Sequence, residues 1–319
     1  MLALGAGAAG IEVAVLLLRN TPGPAPTQAT TSSSSSSSSS SAAPSIPGGR
    51  IATPNDPRFP SPPPGALVLS REAGSNDLGV AVVPYKGKTL VRASVVDGNA
   101  DGVPHLDVRL ALGGAAVRAP ACGAGCYQST FANSTARRLT VSLGKRSYVF
   151  ALPSHTSDAT GIVSQAGKTW LGLKTLVWHE RLGSSPTEVL YTLYKVVAPD
   201  ELSYAIQNGS GAIIIGTKRW DRGSAHGRWI ESPQEPPLSQ PRPFWYGVTD
   251  ANVIGTGRAR GHAVWDVTFF DPVTPAWFTA EIEQPTHRTL VLEMIAAAHF
   301  MHHVYGPFDA PIKIEPPAS

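Results

Sequence analysis

The chain of 319 residues holds two cysteines, Cys122 and Cys126, in the run Cys-Gly-Ala-Gly-Cys. Two are too few for a structural zinc site, and no histidine lies beside them in sequence to complete one. A CxxC redox centre is excluded as well, because three residues separate the pair and no βαβ pattern surrounds them. The glycines allow the tight loop that a short disulfide needs, so a Cys122–Cys126 disulfide in an oxidising compartment is expected. Charge is also scarce. Charged residues make up 15% of the chain, and 26 Lys and Arg against 23 Asp and Glu leave a formal charge of +3. The basic residues are scattered and no basic block exists, so nucleic acid is not an expected partner. Also missing are a Gly-x-Ser-x-Gly elbow, a Gly-x-x-x-x-Gly-Lys loop and an HExxH pair. The carboxylates Asp266, Asp271, Glu281, Glu283 and Glu293 fall in strand-like runs as outward partners, with no acid/base pair among them. No catalytic residue is assigned, and the chain is read as a non-enzyme.

Long apolar runs are missing except at the start. Met1–Leu18 carries one charge, Glu12, and ends at Arg19-Asn20. About 1.5 Å of rise per residue makes it roughly 27 Å long as a helix, close to the roughly 30 Å of a hydrocarbon core. Residues 1–19 therefore read as a transmembrane or signal-like helix. Against a signal peptide, no Lys or Arg precedes the apolar run and Pro24-Ala25-Pro26 is a poor cleavage site. Against a lone anchor, Arg19 lies on the side that would be exported. The end of a longer multi-span protein is the reading that removes both difficulties. Residues 20–65 hold the serine run Ser32–Ser41 and a cluster of prolines, a composition that cannot bury a core and reads as a disordered linker. Its r.m.s. reach is roughly 40 Å.

Residues 66–153 alternate apolar and polar at period two, as in Val108, Leu110, Leu112, again in Leu139, Val141, Leu143, and in Tyr148, Phe150, Leu152. Turn signals such as Asp97-Gly98-Asn99 and Gly113-Gly114 separate these runs. Some seven short antiparallel strands in this length make an immunoglobulin-like β-sandwich. Leu90–Asp97, Val108-Arg109-Leu110 and the Cys122–Tyr127 loop followed by Leu139-Thr140-Val141 resemble YtkA-like and copper-resistance-associated sandwich modules. Copper-binding members of that group use histidines. Here His105 is the only histidine in the module, so a spacer or docking role is expected.

Residues 154–319 contain one legible helix, capped at Thr156, Ser157 or Asp158, with an apolar stripe through Ile162, Ala166, Trp170, Leu173 and Leu176. Strands follow at Val189–Val197, Leu202–Ile206, Ala212–Thr217, Val264–Phe270, Trp277–Ile282, Leu290–Ile295 and His299–Tyr305. The fold class is mainly β (α+β): a sandwich followed by a curved antiparallel sheet packed on a helix. The order of helix, Leu173–Leu176, Ala198–Tyr204, Ile213–Trp220, Trp229, Gly261–Val267, Asp271-Pro272 and Trp277-Phe278 resembles the LolA/LppX lipoprotein-carrier superfamily. That resemblance implies a half-barrel closed by its helix, with a cavity that holds acyl chains. All seven tryptophans lie in this region. Trp170, Leu173, Trp220, Trp229, Trp265 and Trp277 are the candidate cavity wall, and Trp220 and Trp229 are expected to pair across a hairpin. Ser232–Pro243 holds five prolines and is a candidate lid.

The remaining constellation is His299-Phe300-Met301-His302-His303. On a strand His299, Met301 and His303 share one face, a thioether between two imidazoles, which is a donor set for copper. His179-Glu180 is a sparser pairing. The leading expectation is a membrane-tethered extracytoplasmic protein binding a lipid or other apolar ligand, with no resident cofactor. The alternatives are a copper-handling accessory, as the tail or partner of a multi-span copper-resistance membrane protein, and a structural cell-surface module. In each the location is the cell membrane, with the folded regions on its outer side.

Overall fold

The computed structural model describes residues 61–318, apart from 133–134, 186–187 and 274. The apolar segment Met1–Leu18 and most of the linker lie outside the described residues. Among the described residues no helix is long and apolar enough to cross a membrane.

Nine strands come first: β1 (Leu67–Ala73), β2 (Asn76–Tyr85), β3 (Lys88–Val96), β4 (Val108–Leu112), β5 (Val117–Arg118), β6 (Ala121–Gly123), β7 (Cys126–Ala132), β8 (Arg138–Leu143) and β9 (Arg146–Ala151). They form a five-stranded sheet, β1-β2-β3-β7-β6, facing a four-stranded sheet, β5-β4-β8-β9. Period-two alternation puts Leu78, Val80, Val91, Ala93 and Val95 of one sheet against Val108, Leu110, Leu139 and Val141 of the other in one core. Cys122 and Cys126 are disulfide-bonded across the β6–β7 turn.

The short β10 (Ser157–Asp158) leads into α1 (Thr160–Leu171). Asp158 Oδ1 accepts from the Thr160 amide (3.1 Å) and hydroxyl (2.6 Å), which fixes the helix start. The Thr160 hydroxyl bond, then the amide bond, hold the Asp158 carboxyl below its usual range. The helix is shorter than its apolar stripe suggests. Gly172 ends it, and Leu176 belongs to the next strand.

Eleven more strands follow: β11 (Thr175–Ser185), β12 (Glu188–Val197), β13 (Glu201–Ile206), β14 (Gly211–Ile215), β15 (Lys218–Arg222), β16 (Ile230–Pro233), β17 (Thr249–Ala259), β18 (His262–Asp271), β19 (Ala276–Glu283), β20 (Thr289–Ala296) and β21 (His299–Phe308). With β10 they form one antiparallel sheet in the order β10-β17-β18-β19-β20-β21-β11-β12-β13-β14-β15-β16. The chain meanders outward from β11 to β16, returns beside the edge strand β10 as β17, and comes back until β21 closes beside β11. Register shifts in the β11–β12, β11–β21, β17–β18 and β19–β20 pairs bend the sheet. The result is an open half-barrel whose concave face holds α1 and the largest core.

The sandwich sits on the convex face. Ala66 and Val68 with Ala81 pack against Phe270 and Trp277. The adjacent pairs Phe269-Phe270 and Trp277-Phe278 are therefore buried on both faces of the sheet, one member in each core.

Candidate functional site

The concave face carries an aromatic cluster built in register. In an antiparallel sheet, directly paired residues share a face. Trp178 pairs with Tyr194 on one side and Tyr305 on the other, and Tyr194 pairs with Tyr204. The Trp178 and Tyr194 rings stack at 4.6 Å and 8°. Trp170 reaches down from α1 to lie edge-on to Tyr305 at 5.4 Å and to Trp245 at 5.2 Å. Such pairs are each worth about 0.5–1.5 kcal/mol beyond their buried area.

One polar chain runs through this cluster. Glu180 and His303 pair across β11 and β21, with 2.6 Å between Glu180 Oε2 and His303 Nε2. His303 Nδ1 lies 2.7 Å from the Tyr305 hydroxyl, and the Tyr194 hydroxyl donates to Glu180 Oε1 at 3.2 Å. Glu180 is 2% exposed and His303 is not exposed at all. Burial first, and then the Glu180 charge, push both tyrosine hydroxyls well above their ordinary range, so both stay protonated. Beside this chain, the indole N–H groups of Trp178 and Trp245 are buried without a hydrogen-bond partner among the described residues.

The cluster is roofed by α1 and by a strap, residues 234–248, that has no strand or helix of its own. Its prolines exclude it from the sheet. Leu238 and Trp245 join the concave core, and Phe244 approaches His303 at 5.7 Å. The strap is held to the helix by few bonds. The Trp170 indole donates to the Pro241 carbonyl (2.8 Å), and the Gln240 amide donates to the Trp170 (3.1 Å) and Leu173 (3.4 Å) carbonyls. About 10 Å³ of void remains between Trp170, Leu173 and Pro241, about enough for one water. A larger groove of about 250 Å³ opens along the outer seam between α1 and the strap, walled by Val163, Gly167, Trp245 and Val248, with Lys168 at its rim. Leu171 and Tyr246, 44% and 59% exposed, flank it.

No protein-family model matches the chain, and no curated protein matches it. Solved structures do. The chain is similar in structure to LprF and LppX. LprF from Mycobacterium bovis is 13% identical, matching 50% of this chain and 97% of its own, with a TM-score of 0.40. The Mycobacterium tuberculosis lipoprotein LppX is 12% identical over 49% of this chain and 97% of its own, with a TM-score of 0.38. A LolA-superfamily protein from Nitrosomonas europaea is 9% identical over 49% and 95%, at 0.25. These neighbours belong to the group that the C-terminal region resembles in sequence. None of the three is a YtkA-like module.

The candidate wall divides in this frame. Trp170 and Leu173 face the concave core, and Trp265 packs at its margin with its ring 5.2 Å from that of His287. Two assignments are corrected. Trp277 lies on the convex face against the sandwich. Trp220 pairs with Ile213, one residue out of phase with the core residues Ala212 and Ile214, so it too points outward. Trp229 does not pair with Trp220. Glu231 sits opposite Trp220 and bonds its indole at 3.1 Å, while Trp229 lies under the Arg222 guanidinium at 4.6 Å. The copper set is also corrected. Both ring nitrogens of His303 are engaged, His299 Nδ1 lies 2.8 Å from the Ala297 carbonyl, and Met301 is buried opposite Leu182 and Met294. Among the described residues no group of three or more His, Cys, Asp or Glu is placed to hold a metal ion. Sequence reasoning missed Glu180 as a partner of His303 and the aromatic roles of Trp178, Tyr194 and Tyr305. Alternation on their strands signals one shared face but not which strands adjoin.

Proposed function

We propose that this chain is a non-enzymatic binding protein for an elongated apolar ligand such as an acyl chain, taken up between α1 and the concave face of the half-barrel. The observation that carries this reading is the strap. A proline-rich segment lies over an aromatic-lined concave face, is fastened to the helix through Trp170, Gln240 and Pro241, and borders a groove already open to about 250 Å³. Ligand sites hold roughly 300–1,000 Å³, so outward movement of the strap supplies the missing volume. The buried indole N–H groups of Trp178 and Trp245 give the opened site two donors for a ligand headgroup or ester. Lys168 gives its mouth a cation. The Glu180–His303–Tyr305 chain borders neither the void beside Trp170 nor the groove along α1, which fits an orienting and packing role better than a catalytic one. The disulfide favours an oxidising, extracytoplasmic compartment. Tethering at a membrane is carried by the apolar Met1–Leu18 segment.

Native mass spectrometry of the chain purified from a bacterial host tests the reading, together with titration of the delipidated protein with a fluorescent fatty acid. Co-purified lipid-sized masses that leave on denaturation, and saturable titration, are expected. A bare protein mass together with non-saturable titration would remove the ligand site.

A further inference from the structure

The convex face of the half-barrel is only partly covered. Register lays its side chains in cross-strand rows. One apolar row runs Phe270, Trp277, Ile295, Phe300 over β18, β19, β20 and β21. The neighbouring row is polar and runs Thr279, Glu293, His302, Arg181 over β19, β20, β21 and β11. The sandwich seals the apolar row at the Phe270–Trp277 end, where Ala66, just before β1, and Val68 of β1 sit on it. Beyond that contact a cleft of about 600 Å³ opens, floored by Ile295 and Phe300, with Glu293, His302 and Arg181 along its side.

The other walls are Leu69–Glu72 of β1 and Val149–Ala151 of β9. Each of these strands ends its sheet. An edge strand turns alternate N–H and C=O groups away from its neighbour, and those groups seek a partner. Just before β1, Asn252 Nδ2 donates to the Ala66 carbonyl at 3.0 Å. Inside the cleft Arg71 Nη1 already takes the Val149 carbonyl of β9 at 2.9 Å, so the edge left open is that of β1. Within the cleft, the backbone of Leu69–Glu72 makes hydrogen bonds to β2 and to no other described element.

We propose that this cleft binds an extended peptide segment of a partner protein, added as a further strand along the Leu69–Glu72 edge with alternate apolar side chains seated on Ile295 and Phe300. The chain already contains the model for such a contact. β1 is itself an extended strand lying on this face, with Ala66 and Val68, two residues apart, on Phe270 and Trp277. The open seat continues that interface along the same row of side chains. Main-chain bonds to the edge give affinity, and the apolar floor selects alternation, which is how strand addition recognises a peptide. The rim, with Arg71, Arg181 and His302 against Glu72 and Glu293, accepts either sign of charge on the peptide's outward side chains. The seat lies on the face opposite the α1 site and does not depend on it.

Selection of a phage-displayed library of random dodecapeptides on the immobilised full chain tests the proposal. Ile295→Lys, which puts a charge on the floor, and Thr279→Arg, at its polar side, are the comparison variants, each checked for an unchanged melting temperature. Enriched peptides should show apolar residues at alternate positions and lack central proline. They should bind the unaltered chain about tenfold tighter than either variant and slow amide exchange at Leu69–Glu72. No enrichment overturns the proposal. So do peptides that bind both variants equally, or that slow exchange at α1 instead of β1.

Discussion

Trp277 occupies the space that Gly79 leaves free: a Cβ on Gly79 would lie 2.1 Å from the indole Cε2. Gly79 is on β2, Trp277 on β19, and their contact fastens the sandwich to the convex face. Gly79→Ala forces the indole or the strand to move. We expect a loss of about 1–3 kcal/mol, the usual cost of overpacking. Thermal melts of the single variants and of the double variant with Trp277→Ala check this. In the double variant Gly79→Ala should cost little, because the ring it strikes is gone.

Two residues before Gly79 is Asp77, which is not exposed and whose two carboxylate oxygens have no hydrogen-bond partner among the described residues. Burial, and then the neighbouring Asp97 and Glu72 charges, push its carboxyl up from 3.8 to about 8. The folded chain therefore holds a proton that the unfolded chain releases near pH 4. The stability this group contributes is complete below about pH 4, falls as pH rises towards about 8, and is level above that. The difference in melting temperature between pH 5 and pH 8 should shrink in Asp77→Asn. An equal difference in both proteins would assign the slope to other groups.

Removing one partner of a buried hydrogen bond leaves the other polar group unsatisfied, at about 1–3 kcal/mol. Glu180→Ala strands His303 in an aromatic interior, so urea unfolding should show a loss of that order. Glu180→Gln keeps an oxygen for the bond at the same place and should lose less. Equal losses would show that the bond carries little and that side-chain volume matters instead.

Gln240 ties the strap to the last turn of α1 through the Trp170 and Leu173 carbonyls. Hydrogen bonds of this kind contribute about 0.5–1.5 kcal/mol each. Gln240→Ala should therefore open the strap more often and speed uptake of a fluorescent fatty acid about two- to tenfold, followed by stopped-flow fluorescence, with folding retained. Unchanged uptake would mean that the strap is not the gate.

Much of the fold is legible in the sequence. Strict alternation at Val108–Leu112 and Leu139–Leu143 marks half-buried strands, and the structure has them as β4 and β8. The glycine-flanked cysteines are disulfide-bonded. A helix after Asp158 is present, although Gly172 stops it before Leu176. β17 is not legible, because Gly255 and Gly257 interrupt its pattern and its pairing slips at Val253/Gly255. The candidate site is harder to read. Glu180 and His303 are 123 residues apart and meet because β21 returns to lie beside β11. Nothing local to either residue specifies that neighbour.

The sequence alone determined which residues alternate and which segments break. It could not decide which face of a strand is concave. Alternation assigns an inner face when one face meets water, but around Phe270 and Trp277 this sheet is covered on both sides, by the concave core on one and the sandwich on the other. Phe269 and Phe270, or Trp277 and Phe278, are then equally apolar, and the tertiary arrangement alone sends Phe269 and Phe278 to the concave core and Phe270 and Trp277 to the sandwich.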